Sequence, residues 1–100
     1  MAFFMVTFTY PPNKAKEVGE AFVSGKAPEL PDYVKRTQIF IVLDVELKTY
    51  AIYQVPDEKA HEGLVAITKR FTGYFDIEGS RFKIEPLLTI TEALPLIGLG

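Results

Sequence analysis

Residues 2–10 (AFFMVTFTY) are aromatic, apolar or β-branched almost throughout and predict a strand. Pro11 and Pro12 stop it, and Asn13 stands where a helix N-cap belongs. Ala15, Val18, Gly19, Phe22 and Val23 then recur at helical spacing, with Lys16, Glu17 and Glu20 on the other side. A helix is therefore predicted over 13–24, with Gly25 as its stop. Pro28, Pro31 and Asp32 make 26–33 a loop, after which 34–43 (VKRTQIFIVL) predict a second strand. Asp44 to Glu46 predict a turn and 47–55 (LKTYAIYQV) a third strand, giving an antiparallel hairpin. Pro56 closes that strand. Asp57 is placed to cap a second helix, whose apolar stripe is Ala60, Leu64, Ile67, Phe71 and Phe75. Gly79 and Ser80 predict a turn, and 81–90 (RFKIEPLLTI) a fourth strand. Pro86 in that run makes it an edge strand or a bulged one.

The order β-α-β-β-α-β defines an α+β fold of the ferredoxin-like kind: a four-stranded antiparallel sheet with two helices on one face. The whole of 1–100 is expected to form one domain, with 91–100 an apolar C-terminal extension that needs something to dock on. Apolar residues occupy both parities of the strands: Phe4, Val6 and Phe8 against Phe3 and Met5, Ile39 and Ile41 against Phe40 and Val42. Two helices cover one face only. Each large side chain left wet forfeits about 1.5–3 kcal/mol, so the expected partner is a second copy of the chain, sheet against sheet. A homodimer or higher homo-oligomer follows.

Composition narrows the chemistry. Eleven Lys and Arg stand against 13 Asp and Glu, a net charge of −2, which disfavours a dedicated nucleic-acid or anionic-membrane partner. With no cysteine, disulfides, zinc ribbons and thiol catalysis are excluded, and a cytoplasmic location is expected. The first ten residues lack the basic start and cleavage site of a signal peptide, and no apolar run reaches the length of a membrane span. No G-x-G-x-x-G, P-loop or nucleophile elbow is present, and Ser24 and Ser80 both fall in turns.

His61 is the one histidine, in the first turn of the second helix beside Asp57, Glu58 and Glu62. It is a candidate general base or a lone metal ligand, against the plainer reading of a solvated helix start. With no further His or Cys, no metal site is expected. Lys48 to Val55 partly match the third-strand motif of an RNA-recognition domain, but Thr49 replaces its glycine and Ile52 its second stacking aromatic. The polar groups in otherwise apolar strands are Tyr10, Arg36, Gln38, Tyr53 and Gln54. With His61 they are the candidate pocket for a small apolar or aromatic molecule.

FMVTFT (Phe4 to Thr9), the proline-rich approach to a helix, the hairpin ending in Val55-Pro56-Asp57, and IEPLLTITEAL (Ile84 to Leu94) together resemble the dimeric α/β-barrel superfamily. More narrowly, they resemble short proteins of the DUF3303 type. The resemblance implies a ferredoxin-like protomer, a homodimer, and a cleft between sheet and helices. It supplies neither a cofactor nor catalytic residues. It leaves open a ligand-binding or assembly protein and, as the alternative, a cofactor-free monooxygenase- or isomerase-like enzyme drawing on His61, Tyr53 and Arg36.

Overall fold

In a computed structural model covering residues 1–100, the strands are β1 (Ala2–Tyr10), β2 (Lys35–Leu43), β3 (Leu47–Val55) and β4 (Arg81–Leu87). The helices are α1 (Ala15–Val23), α2 (Ala60–Phe71) and the short α3 (Ile90–Ala93). The strands form one antiparallel sheet in the order β2-β3-β1-β4. β1 and β2 run parallel with β3 between them, and β3 and β4 run parallel with β1 between them. Each crossover thus skips one strand, an arrangement compatible with a ferredoxin-like fold.

Both crossovers begin alike. Pro11-Pro12-Asn13-Lys14-Ala15 and Pro56-Asp57-Glu58-Lys59-Ala60 share the pattern P-x-x-K-A. Each first proline is extended, at φ −66°, ψ 148° and φ −56°, ψ 144°. A single 3-10 turn follows, closed by Lys14 N–H donating to the Pro11 carbonyl and Lys59 N–H to the Pro56 carbonyl, both at 2.9 Å. This corrects the expected helix starts. Asn13 and Asp57 lie inside the turns and cap nothing. The proline carbonyl accepts the first backbone bond, and Asp57 instead meets the Met1 amino group at 3.0 Å.

β4 ends at Leu87, short of the predicted Ile90. Thr89 and Glu92 form a capping box that starts α3: Glu92 N–H donates to Thr89 Oγ1 at 3.2 Å and Thr89 N–H to Glu92 Oε1 at 2.9 Å. Pro86 sits where the sheet tolerates it, on an edge strand paired only with β1.

The core forms on the helix face of β1 and β3. Phe4, Val6, Phe8 and Tyr10 alternate inward against Ala51, Tyr53 and Val55, and Ile67, Phe71, Tyr74 and Ile77 close over them. α2 comes closest at Gly63, where an added Cβ would lie 2.6 Å from Val55 Cγ1. The other sheet face carries the apolar residues of the second parity, with Phe40 and Val42 exposed on it. Phe3, Met5, Tyr50 and Ile52 are half-buried there, among Thr7, Thr9, Lys48 and Lys83.

Candidate functional site

The apolar stripe of α1 is amphipathic, yet only Val18 and Ala21 are buried in it; Phe22 and Val23 are exposed. The helix stands off the β2-β3 half of the sheet, and the gap is a cleft of about 580 Å³. That volume falls in the range of small-molecule sites. Ile39, Ile41 and Leu43 of β2 form its floor with Ala51 of β3, and Phe22 its upper wall. An aromatic cluster closes one end: Phe8 lies 4.9 Å from Tyr74 and 5.7 Å from Phe71, centroid to centroid.

Gly19 also lines the cleft, in the middle of α1. A glycine there costs a helix roughly 1 kcal/mol relative to alanine. Its Cβ position meets nothing within 4 Å, so no packing demand explains it. What the missing side chain leaves is room.

The polar members are two arginines, three tyrosines and Thr49. Arg36 reaches the cleft through a β-bulge. It pairs with Tyr53, whereas Gln38 pairs with Ile52, so the register shifts at Thr37. In an unbroken strand Arg36 and Gln38 would share a face, opposite Ile39, Ile41 and Leu43. The extra residue turns Arg36 to the same side as those apolar residues and sends Gln38 to the other face. The Arg36 guanidinium carbon lies 5.3 Å from the Phe22 ring centroid, a cation–π placement that orients it. Arg70, at the end of α2, donates through Nη1 to the Pro28 carbonyl at 3.0 Å. Both arginines also border a shallower depression, of about 380 Å³, shared with Glu29 and Leu30.

Burial pushes the Tyr53 phenol above its ordinary range, opposed by the positive charges of Arg70 and Arg36. Burial likewise raises Tyr74, with Arg70 the main opposing charge. Both hydroxyls are therefore neutral donors around neutral pH and poor bases.

Of the six residues singled out from sequence, Tyr10, Arg36 and Tyr53 line the cleft together. Gln38 and Gln54 point to the opposite sheet face, paired with Ile52 and Phe3. His61 is exposed on α2 and lines neither depression, so no chemical step is routed through it. Sequence reasoning missed Arg70, Tyr74 and Phe22 as site residues. Phe22 was visible in the helical stripe, but Arg70 carries no local signal beyond its place in a last turn. Ser24 and Ser80 spend their hydroxyls on the Ala21 and Tyr74 carbonyls, at 3.4 and 3.0 Å. No group of three or more His, Cys, Asp or Glu side chains is gathered to hold a metal, and no helix is long and apolar enough to cross a membrane.

Fold and site thus define a small α+β domain: a four-stranded antiparallel sheet with an apolar, arginine-edged cleft under its first helix. No family model, curated protein or solved structure matches the chain.

Proposed function

We propose that this chain is one subunit of a homodimer, each subunit holding a small, largely apolar molecule in the cleft beneath α1. The observation that carries the binding half is the cleft itself, lined mostly by apolar side chains and bordered by a mid-helix glycine that no neighbour requires. The strand order with its two one-strand-skipping crossovers supports the ferredoxin-like reading, and with it the resemblance to dimeric α/β barrels.

Surface area supports the second copy. The chain exposes 6519 Å². A monomer of its mass is expected to expose about 5,700 Å². The surplus is about 800 Å², close to one partner's share of a standard interface. It lies where the chain projects. On the sheet face away from α1, Phe40 and Val42 of β2 are 60% and 41% exposed, and Leu96 and Ile97 in the tail are 74% and 72% exposed. A second copy covers these regions without altering the core.

The neutral dye Nile red tests the cleft. Its fluorescence is expected to rise on binding the wild-type protein and to stay flat with Gly19→Leu, which fills the cleft from an unobstructed position. An equal rise with both proteins would refute the cleft as the binding site. Native mass spectrometry tests the assembly: a species at twice 11.2 kDa is expected, and a monomer at micromolar concentration would refute the dimer.

A further inference from the structure

Resting on the reading of the cleft as a binding site, we propose that its ligand is a small carboxylic acid with a flat apolar body, the carboxylate held between Arg36 and Arg70. The remaining features of the site converge on this chemistry. Of the three arginines, Arg81 faces a carboxylate, Glu46, at 2.6 Å; several surface lysines, such as Lys16 and Lys69, have no such partner, so what sets Arg36 and Arg70 apart is their place on one cleft. Arg36 and Arg70 take part in no ion pair, although they border the same depression. Glu29, the carboxylate that shares this depression, forms no ion pair with either.

Two guanidinium groups that border one depression with no carboxylate paired to either repel each other, and a bound anion relieves that. The site also spends structure on them. A bulge turns Arg36 to the cleft side, Phe22 lies against its guanidinium, and the Pro28 carbonyl accepts from Nη1 of Arg70, whose guanidinium carries further donors. Planar forks of this kind match a carboxylate two bonds at a time. A phosphate is the weaker fit, because the chain has no glycine-rich loop to cradle one with backbone N–H groups. The neutral Tyr53 hydroxyl lies near both arginines and supplies a further donor. Behind this polar edge the lining is apolar and aromatic, which suits the rest of the molecule.

The test compares two probes of one shape, naphthalene-2-carboxylate and naphthalene-2-carboxamide, by calorimetry or ligand-observed NMR. The acid is expected to bind the wild-type protein about 10- to 100-fold more tightly, the worth of charged hydrogen bonds. Arg36→Gln and Arg70→Gln should each shrink that preference by weakening the acid more than the amide. Should Arg70→Gln loosen the Pro28 loop, Arg36→Gln decides, since Arg36 is exposed and anchors no backbone. Equal affinity for acid and amide overturns the carboxylate and leaves the cleft reading standing. Acid preference that survives Arg36→Gln overturns the arginine assignment. Displacement of the acid by equimolar inorganic phosphate overturns the carboxylate in favour of a phosphate. If neither probe binds while Nile red does, the inference fails and the cleft reading stands; if none of the three binds, both fail.

Discussion

Gly63 sits where α2 presses on the sheet, and a methyl group there would overlap both γ-carbons of Val55, at 2.6 and 2.8 Å. Val55 is fully buried and β-branched, so it has little freedom to move aside. Gly63→Ala gains about 1 kcal/mol of helix propensity. It loses more to overpacking, so a net destabilisation of about 1–2 kcal/mol is expected in urea unfolding. Val55→Ala in the same chain should recover part of it, a favourable coupling that a double-mutant cycle reads directly. Asp76 makes the opposite kind of contact. It accepts two hydrogen bonds from Lys26 Nζ, at 2.6 and 2.9 Å, on the open surface. These hold its carboxyl below the ordinary aspartate range. A depressed carboxylate contributes stability above its unfolded pKa and loses it as pH falls through the folded one. The contribution is small in so exposed a pair. Carboxyl NMR titration should therefore place Asp76 below a normal aspartate in the wild type and return it to normal in Lys26→Met.

Of the two crossover helices, α1 is the less committed to the core: where α2 buries Gly63, Ile67 and Phe71, α1 buries Val18 and Ala21. Its amphipathic pattern predicted a helix packed on the sheet, and the helix is there, but much of its stripe faces a gap. Gly19→Ala should raise stability by about 0.5–1 kcal/mol in thermal unfolding, because the methyl meets nothing and the helix gains propensity. If it lowered stability instead, the open space at Gly19 would be in error. The paired P-x-x-K-A approaches show why helix starts were misjudged by two or three residues. Asn13 and Asp57 are good caps by type, but an extended proline ahead of a 3-10 turn already satisfies the first donor. Thr89-x-x-Glu92 was a readable capping signal, hidden behind the apolar run that predicted a longer fourth strand. The bulge at Thr37 had no signal of this kind. Nothing in K-R-T-Q-I-F marks where two residues face one, and that single insertion decides which side Arg36 and Gln38 occupy.

At the scale of the molecule, the chain is long and thin, 47 by 30 by 17 Å, with a radius of gyration of 15.1 Å. A compact chain of this length has a radius near 13 Å. The β2-β3 hairpin and the tail account for the excess by projecting apolar side chains that their own subunit does not cover. If the tail docks on a partner, Leu96→Lys should weaken self-association at least 10-fold in sedimentation equilibrium while leaving the unfolding midpoint of the isolated subunit in place. Unchanged association would remove the tail from the interface.

The sequence by itself determined the four strands, the two crossover helices and their order, because period-2 and period-3.6 patterns and proline stops act over a few neighbouring residues. It also named half of the cleft's polar edge: Tyr10, Arg36 and Tyr53 stand out as polar groups in apolar strands. Only the tertiary structure decided that α1 stands clear of β2, that a bulge turns Arg36 inward and Gln38 outward, and that Arg70 arrives from the far end of α2. These depend on register and on distances between segments far apart in the chain, and local propensity is blind to both.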